Sequence, residues 1–151
     1  TCARTYVLAS TATRRDDLPA SPRTFTEAPD DPVLRSGHDL FDALARHGVR
    51  HVLVGGLAIN LHGVERATMD VDLALAITAA NLSRSVDAFE ELGLVPVAPV
   101  PATEARDPAA FARWRTDKRM IAFGWRPTRA PGPVVDCLTS LPMPFDDEER
   151  P

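Results

Sequence analysis

Apolar positions along this chain change period several times, and each change marks an element. From Ser36 onward Leu40, Phe41, Leu44 and Ala45 return at helical spacing, with Asp39 three residues after Ser36 as in a capping box and Gly48 as the stop. That predicts a first helix lying over one face of a sheet. His51–Val54 predicts the first core strand, and Gly56–Leu61, through Leu57, Ala58 and Leu61, a short helical segment after it. Alternation over Thr68–Ile77 predicts a second strand, with Val71, Leu73, Leu75 and Ile77 occupying or bordering one face. Thr78 can cap a helix over Ala79–Leu92, where Leu82, Val86 and Phe89 share a side and Gly93 is the stop. Pro96, Pro99 and Pro101 limit Leu94–Thr103 to a short edge strand.

The second half continues in the same manner. Asp107-Pro108 is a good N-cap and first-turn pair for a helix through about Thr116, with Phe111, Trp114 and Arg115 along one side. Met120–Trp125 and Pro133–Leu138 read as strands joined by a Pro/Gly-rich turn. Before the first helix, Thr1–Leu34 is rich in Pro, Thr, Arg and Asp and lacks apolar periodicity apart from Tyr6-Val7-Leu8. The expected organisation is a flexible arm over 1–35, a folded unit over 36–145, and an acidic tail over 146–151. The fold class is α/β (α+β), a small mixed, twisted sheet with flanking helices.

Composition changes this picture little. A chain of 151 residues with ordinary apolar content has material for one domain. The formal charge of −4 and the scattered basic residues argue against a stand-alone nucleic-acid binder. Cys2 and Cys137 lie far apart, and both read as reduced thiols of a cytoplasmic protein, Cys137 as a small buried residue with nothing nearby to activate it. No apolar run is long enough to span a membrane and no signal sequence opens the chain, so no membrane partner is expected. The first residue is Thr, which leaves open an earlier start.

Candidate chemistry concentrates between Val52 and Ile77. Asp70 and Asp72 stand two apart on a strand and therefore share a face, where like charges repel unless a divalent cation is shared. Just upstream, Gly55-Gly56 joins strand to helix with no Cβ to keep a phosphate chain from the backbone N–H groups. Asp136, in Val134-Val135-Asp136-Cys137-Leu138, offers a later carboxylate on another strand.

The order Gly55-Gly56, His62-Gly63, Arg66, Thr68, Asp70 and Asp72 resembles the core of the minimal nucleotidyltransferase-fold proteins, which are polymerase-β-like. It is nearest to the bacterial branch with the AbiEii-type toxins, their uncharacterised relatives and small antibiotic adenylyltransferases. The resemblance covers roughly 36–145. It implies a glycine pair that holds the triphosphate, magnesium held by Asp70 and Asp72, and Asp136 as the third carboxylate of the site. It further implies transfer of a nucleoside monophosphate from a nucleoside triphosphate, ATP among them, to an acceptor hydroxyl. The acceptor would be tRNA, a partner protein or a small molecule such as an aminoglycoside, and an antitoxin is a further partner of some members. Related proteins continue into helices beyond this point, so the chain is expected to be a catalytic-domain fragment.

Each residue also has a plainer reading. An isolated D-x-D more often shows two acids to solvent, a G-G pair can be a tight turn, and Asp136 can be salt-bridged or exposed. Arg66 either neutralises phosphate charge or pairs with Glu65 or Asp70, and Thr68 either bonds a phosphate or orients a carboxylate. His62 reads as a capping or packing residue outside the chemistry. Trp114, with Lys118 and Arg119 nearby, either faces a nucleotide or is a core Trp beside a solvated turn. At the level of the whole chain the rival is a catalytically inactive binding module of the same fold. A sugar transferase using D-x-D is disfavoured, because only an irregular arm, one helix and one strand precede the acids.

Overall fold

A computed structural model of the chain describes residues 6–7, 32–63, 67–129 and 132–140. Helix α1 (Pro32–Arg46) begins four residues ahead of Ser36, because Pro32 at its first turn already has the helical φ. The Ser36/Asp39 pair thus lies inside the helix and does not start it. Its end is as expected: Gly48 has φ of 65°, its N–H donates to the Ala45 carbonyl, and the Val49 N–H donates to that of Leu44. This paired arrangement closes the last carbonyls of the helix and turns the chain into the sheet.

The other elements follow the apolar pattern closely. Strand β1 (Tyr6–Val7) falls in the stretch expected to be an arm and pairs with β2 (His51–Val54). Helix α2 (Gly55–Leu61) follows β2 directly, and β3 is Asp70–Leu75, shorter at both ends than Thr68–Ile77. The Thr78 side chain accepts from the Asn81 N–H to cap α3 (Ala79–Glu91). After β4 (Leu94–Pro96) comes a 3₁₀ helix, Ala102–Arg106, which the proline-rich pattern did not reveal. Asp107 accepts from the Ala109 N–H at the start of α4 (Pro108–Asp117), and β5 (Ala122–Pro127) and β6 (Val134–Leu138) are the last two elements.

The sheet runs β1-β2-β3-β6-β5-β4. β3 lies parallel to β6 and antiparallel to β2, while β5 is antiparallel to both β6 and β4. This mixed α/β arrangement is the expected fold class. β6, last in sequence, is therefore inserted beside β3, and Pro96 sits on the edge strand, where a missing N–H is tolerated.

One face of the sheet is covered by helices. Val71, Leu73 and Leu75 of β3, Phe123 and Trp125 of β5, and Val135 and Cys137 of β6 enter a core with Leu44 of α1, Leu82, Val86 and Phe89 of α3, and Phe111 of α4. Trp114 belongs to it too, 3% exposed and stacked on Phe123 with ring centroids 4.3 Å apart and planes 6° apart. Of its two readings, the core one holds, since the indole face is already occupied. Full burial of one such large side chain contributes about 1.5–3 kcal/mol. The opposite face carries a smaller cluster of Val52, Val54 and Ala74, with Leu138 packed on it, and the polar positions of β3 and β6. Among the described residues no helix is long and apolar enough to cross a membrane.

Candidate functional site

The acids are set by strand register. Asp72 is the Cα partner of Asp136 across the parallel β3–β6 pair, Val54 is the partner of Asp72, and Gly124 is the partner of Asp136. Register partners on adjacent strands point to the same side. Val54, Asp72, Asp136 and Gly124 thus form one row across the sheet, on the face away from the main core. Asp70 stands two residues before Asp72, opposite Val134, on the same face and exposed.

The glycine turn closes on this row from the β2 side. Gly55 has φ of 70°, a conformation that a residue with a Cβ adopts only under strain. A Cβ placed there would also overlap the Asp72 carboxylate, with Asp72 Cγ only 2.7 Å away. Gly56 is held to glycine by Thr68: its Cβ would lie 2.8 Å from Thr68 Oγ1 and 2.9 Å from Thr68 Cβ. So the turn lies directly against Asp72 and Thr68. Val54, at the N-cap position of α2, has no side-chain acceptor of its own. Thr68 Oγ1 donates to the Asp70 carbonyl at 3.3 Å, which ties the approach to β3 to the strand itself.

Electrostatics point to the same cluster. Burial pushes the Asp136 carboxyl above its ordinary value, and the negative charges of Asp72 and then Asp70 push it further. The acids therefore sense one another across the strand pair. A cation or a shared proton would relieve that repulsion. The Cys137 thiol, next in sequence but on the core side, is fully buried and raised far above its usual range by desolvation, so it is unreactive as expected.

Of the residues singled out in the sequence, Gly55, Gly56, Thr68, Asp72 and Asp136 are brought together, with Asp70 at the near end of the strand. Arg66 and Cys2 lie outside the described residues. Among the described residues no three His, Cys, Asp or Glu side chains are gathered closely enough to hold one ion. His62 occupies the C-cap position of α2, where its backbone N–H donates to the Ala58 and Ile59 carbonyls.

Two residues of the site were not singled out. A Cβ on Gly124 would come 2.9 Å from Asp136 Oδ1 and 3.2 Å from Val97 Cγ2, so the missing side chain at Gly124 is what gives the carboxylate and Val97 room to close over the strand. Val97 is 52% exposed and donates its N–H to the Gly124 carbonyl at 2.8 Å. No spacing in the sequence points to either, because the neighbours come from β6 and from the segment after β4.

Compared with known proteins, the chain matches no protein-family model, no curated protein and no solved structure.

Proposed function

We propose that the protein is a nucleotidyltransferase that moves a nucleoside monophosphate from a nucleoside triphosphate to an acceptor hydroxyl. The observation that carries this reading is the packing of the Gly55-Gly56 turn against Asp72, with Asp136 beside Asp72 in register. A phosphate chain needs backbone N–H groups at a helix start on one side and a cation held by carboxylates on the other, and the turn that opens α2 beside paired carboxylates supports both.

The donor set is all oxygen, which suits magnesium, and the absence of a Cβ at Gly55 is what lets the Asp72 carboxylate lie against the turn. Asp70, Asp72 and Asp136 would hold the ion. When bound, magnesium supplies neutralisation of phosphate charge and alignment of the triphosphate. The chain's own groups do the rest. Gly55-Gly56 seats the departing pyrophosphate, and Asp136 takes the proton of the attacking hydroxyl. The acceptor oxygen bonds to the α-phosphorus as the bond to the bridging oxygen breaks.

A second reading, a binding module of the same fold without turnover, is favoured by the exposed position of Asp70 away from the Asp72–Asp136 pair. Calorimetric titration with magnesium and ATP, followed by incubation with radiolabelled nucleotides and pools of total tRNA, lysate proteins and aminoglycosides, separates the two. Magnesium-dependent ATP binding and label in one pool are expected, and both should vanish in Asp72→Asn with the fold retained. Turnover unchanged in that variant refutes the assignment. Binding without label in any pool supports the silent module.

A further inference from the structure

We infer that Arg126 binds a phosphate group of the bound nucleotide, on the side of the acids away from the glycine turn. The inference rests on the proposed transfer reaction and names a cation that its anionic substrate meets. β5 alternates, with Phe123 and Trp125 buried in the core and Gly124 and Arg126 on the other face, where Arg126 is exposed. Asp72, Asp136 and Gly124 share that face by register, so Arg126 and the acids look out on the same side. Among the described strands Arg126 is the one Lys or Arg residue.

Register also fixes the end of the sheet at which Arg126 stands. Trp125 is the partner of Val135, which brings Arg126 level with Val134, and Val134 is the partner of Asp70. On its other flank Arg126 is paired with Val95 of β4. β2 runs antiparallel to β3 with Val54 opposite Asp72, so the chain that leaves Val54 into Gly55-Gly56 also heads toward the Asp70 end. The turn, the acids and Arg126 thus follow one another along one end of the sheet, with the acids in the middle. Arg126 is one strand across and two residues along from Asp136, roughly 8 Å between Cα positions. One phosphate group fits a gap of that size, with magnesium–oxygen contacts of about 2.1 Å on one side and a charge-assisted hydrogen bond of about 2.8 Å on the other.

Other arginines are engaged within the fold: Arg46 by Glu91, Arg106 by Asp87 and Glu90, and Arg113 by Asp107. Arg126 has no hydrogen bond or ion pair among the described residues, although Asp70 and Asp136 lie on its own face. An arginine placed by strand pairing and left uncommitted keeps its planar fork of N–H donors for a phosphate.

Arg126→Gln and Arg126→Lys test this without touching the acids or the glycine turn. Calorimetry with magnesium and α,β-methylene-ATP, and separately with magnesium and tripolyphosphate, reads binding, while the label-transfer assay reads turnover. Arg126→Gln should weaken both probes about tenfold with Tm unchanged, because the side chain is exposed and takes no part in the core. Arg126→Lys should recover part of that loss, since lysine keeps the charge but not the fork. The parent's affinity should also fall more steeply with added salt than that of Arg126→Gln. Affinity in Arg126→Gln within about twofold of the parent would make Arg126 a solvated surface residue, overturning the inference and leaving the transferase reading in place. A loss seen with the nucleotide analogue alone would put Arg126 at the base or ribose and overturn it as well. Arg126-dependent binding of both probes with no label in any pool would uphold the inference and sink the transferase reading. A parent protein that binds neither probe would overturn both.

Discussion

β3 turns Val71, Leu73 and Leu75 toward the helices and Asp70 and Asp72 the other way, and β6 repeats the division with Val135 and Cys137 against Asp136. The two faces of the same strands thus do opposite things. On the helix side every neighbour adds burial, down to the stacked Trp114 and Phe123. On the other side like charges are held next to one another, and three glycines stand where any Cβ would press on Asp72, Thr68 or Asp136. A sheet built for stability alone would not pair Asp72 with Asp136. The cost is supportable because the core on the reverse face is large.

This contrast can be broken by substitution on either face. Trp125→Ala should have the largest effect, a loss of about 3–5 kcal/mol in urea denaturation, since Trp125 is 1% exposed and packs on Phe89 with centroids 5.0 Å apart. A loss under about 1 kcal/mol would mean that the aromatic core is not what holds the sheet. Gly55→Ala should cost about 1–3 kcal/mol, because the new side chain must be carried at φ near 70° and must displace the Asp72 carboxylate. Ligand binding should suffer with it, and a Gly55→Ala variant of parental stability would contradict the strained turn.

Asp136→Asn should have the smallest effect, and of opposite sign. The folded-state pKa of Asp136 is raised from 3.8, so the native protein binds this proton more tightly than the unfolded chain does. Stability is therefore lost as pH rises from about 3.8 through the raised folded value, and the loss is complete above it. The Asn variant should melt higher than the parent at neutral pH, and the two melting curves should converge toward about pH 3, where the carboxyl is neutral in both states. An Asn variant that melts lower at neutral pH would show that the Asp136 charge is compensated within the fold.

Legibility in the sequence tracked how local the cause was. The Asp107 and Thr78 caps, the Gly48 stop and the strand at His51–Val54 are written in a few adjacent residues, and they appear where those residues predict. The start of α1 was misplaced because Ser36 and Asp39 imitate a cap inside a helix that Pro32 already opens. The 3₁₀ helix at Ala102–Arg106 was not legible for a different reason. It is tied down by Arg106, which donates to the Ser83 carbonyl and hydroxyl and to the carboxylates of Asp87 and Glu90 on α3. Nothing within the segment itself announces those partners.

The same division runs through the site. By itself the sequence determined that Asp70 and Asp72 share a strand face and that a glycine pair precedes them, since both follow from the two-residue repeat and from local turn chemistry. Only the tertiary structure decided that β6 inserts beside β3 in the register that opposes Asp136 to Asp72, and that Gly124 and Val97 flank the pair. Strand order and register are set by which apolar faces bury together across the whole sheet, a long-range competition that no stretch of neighbouring residues contains.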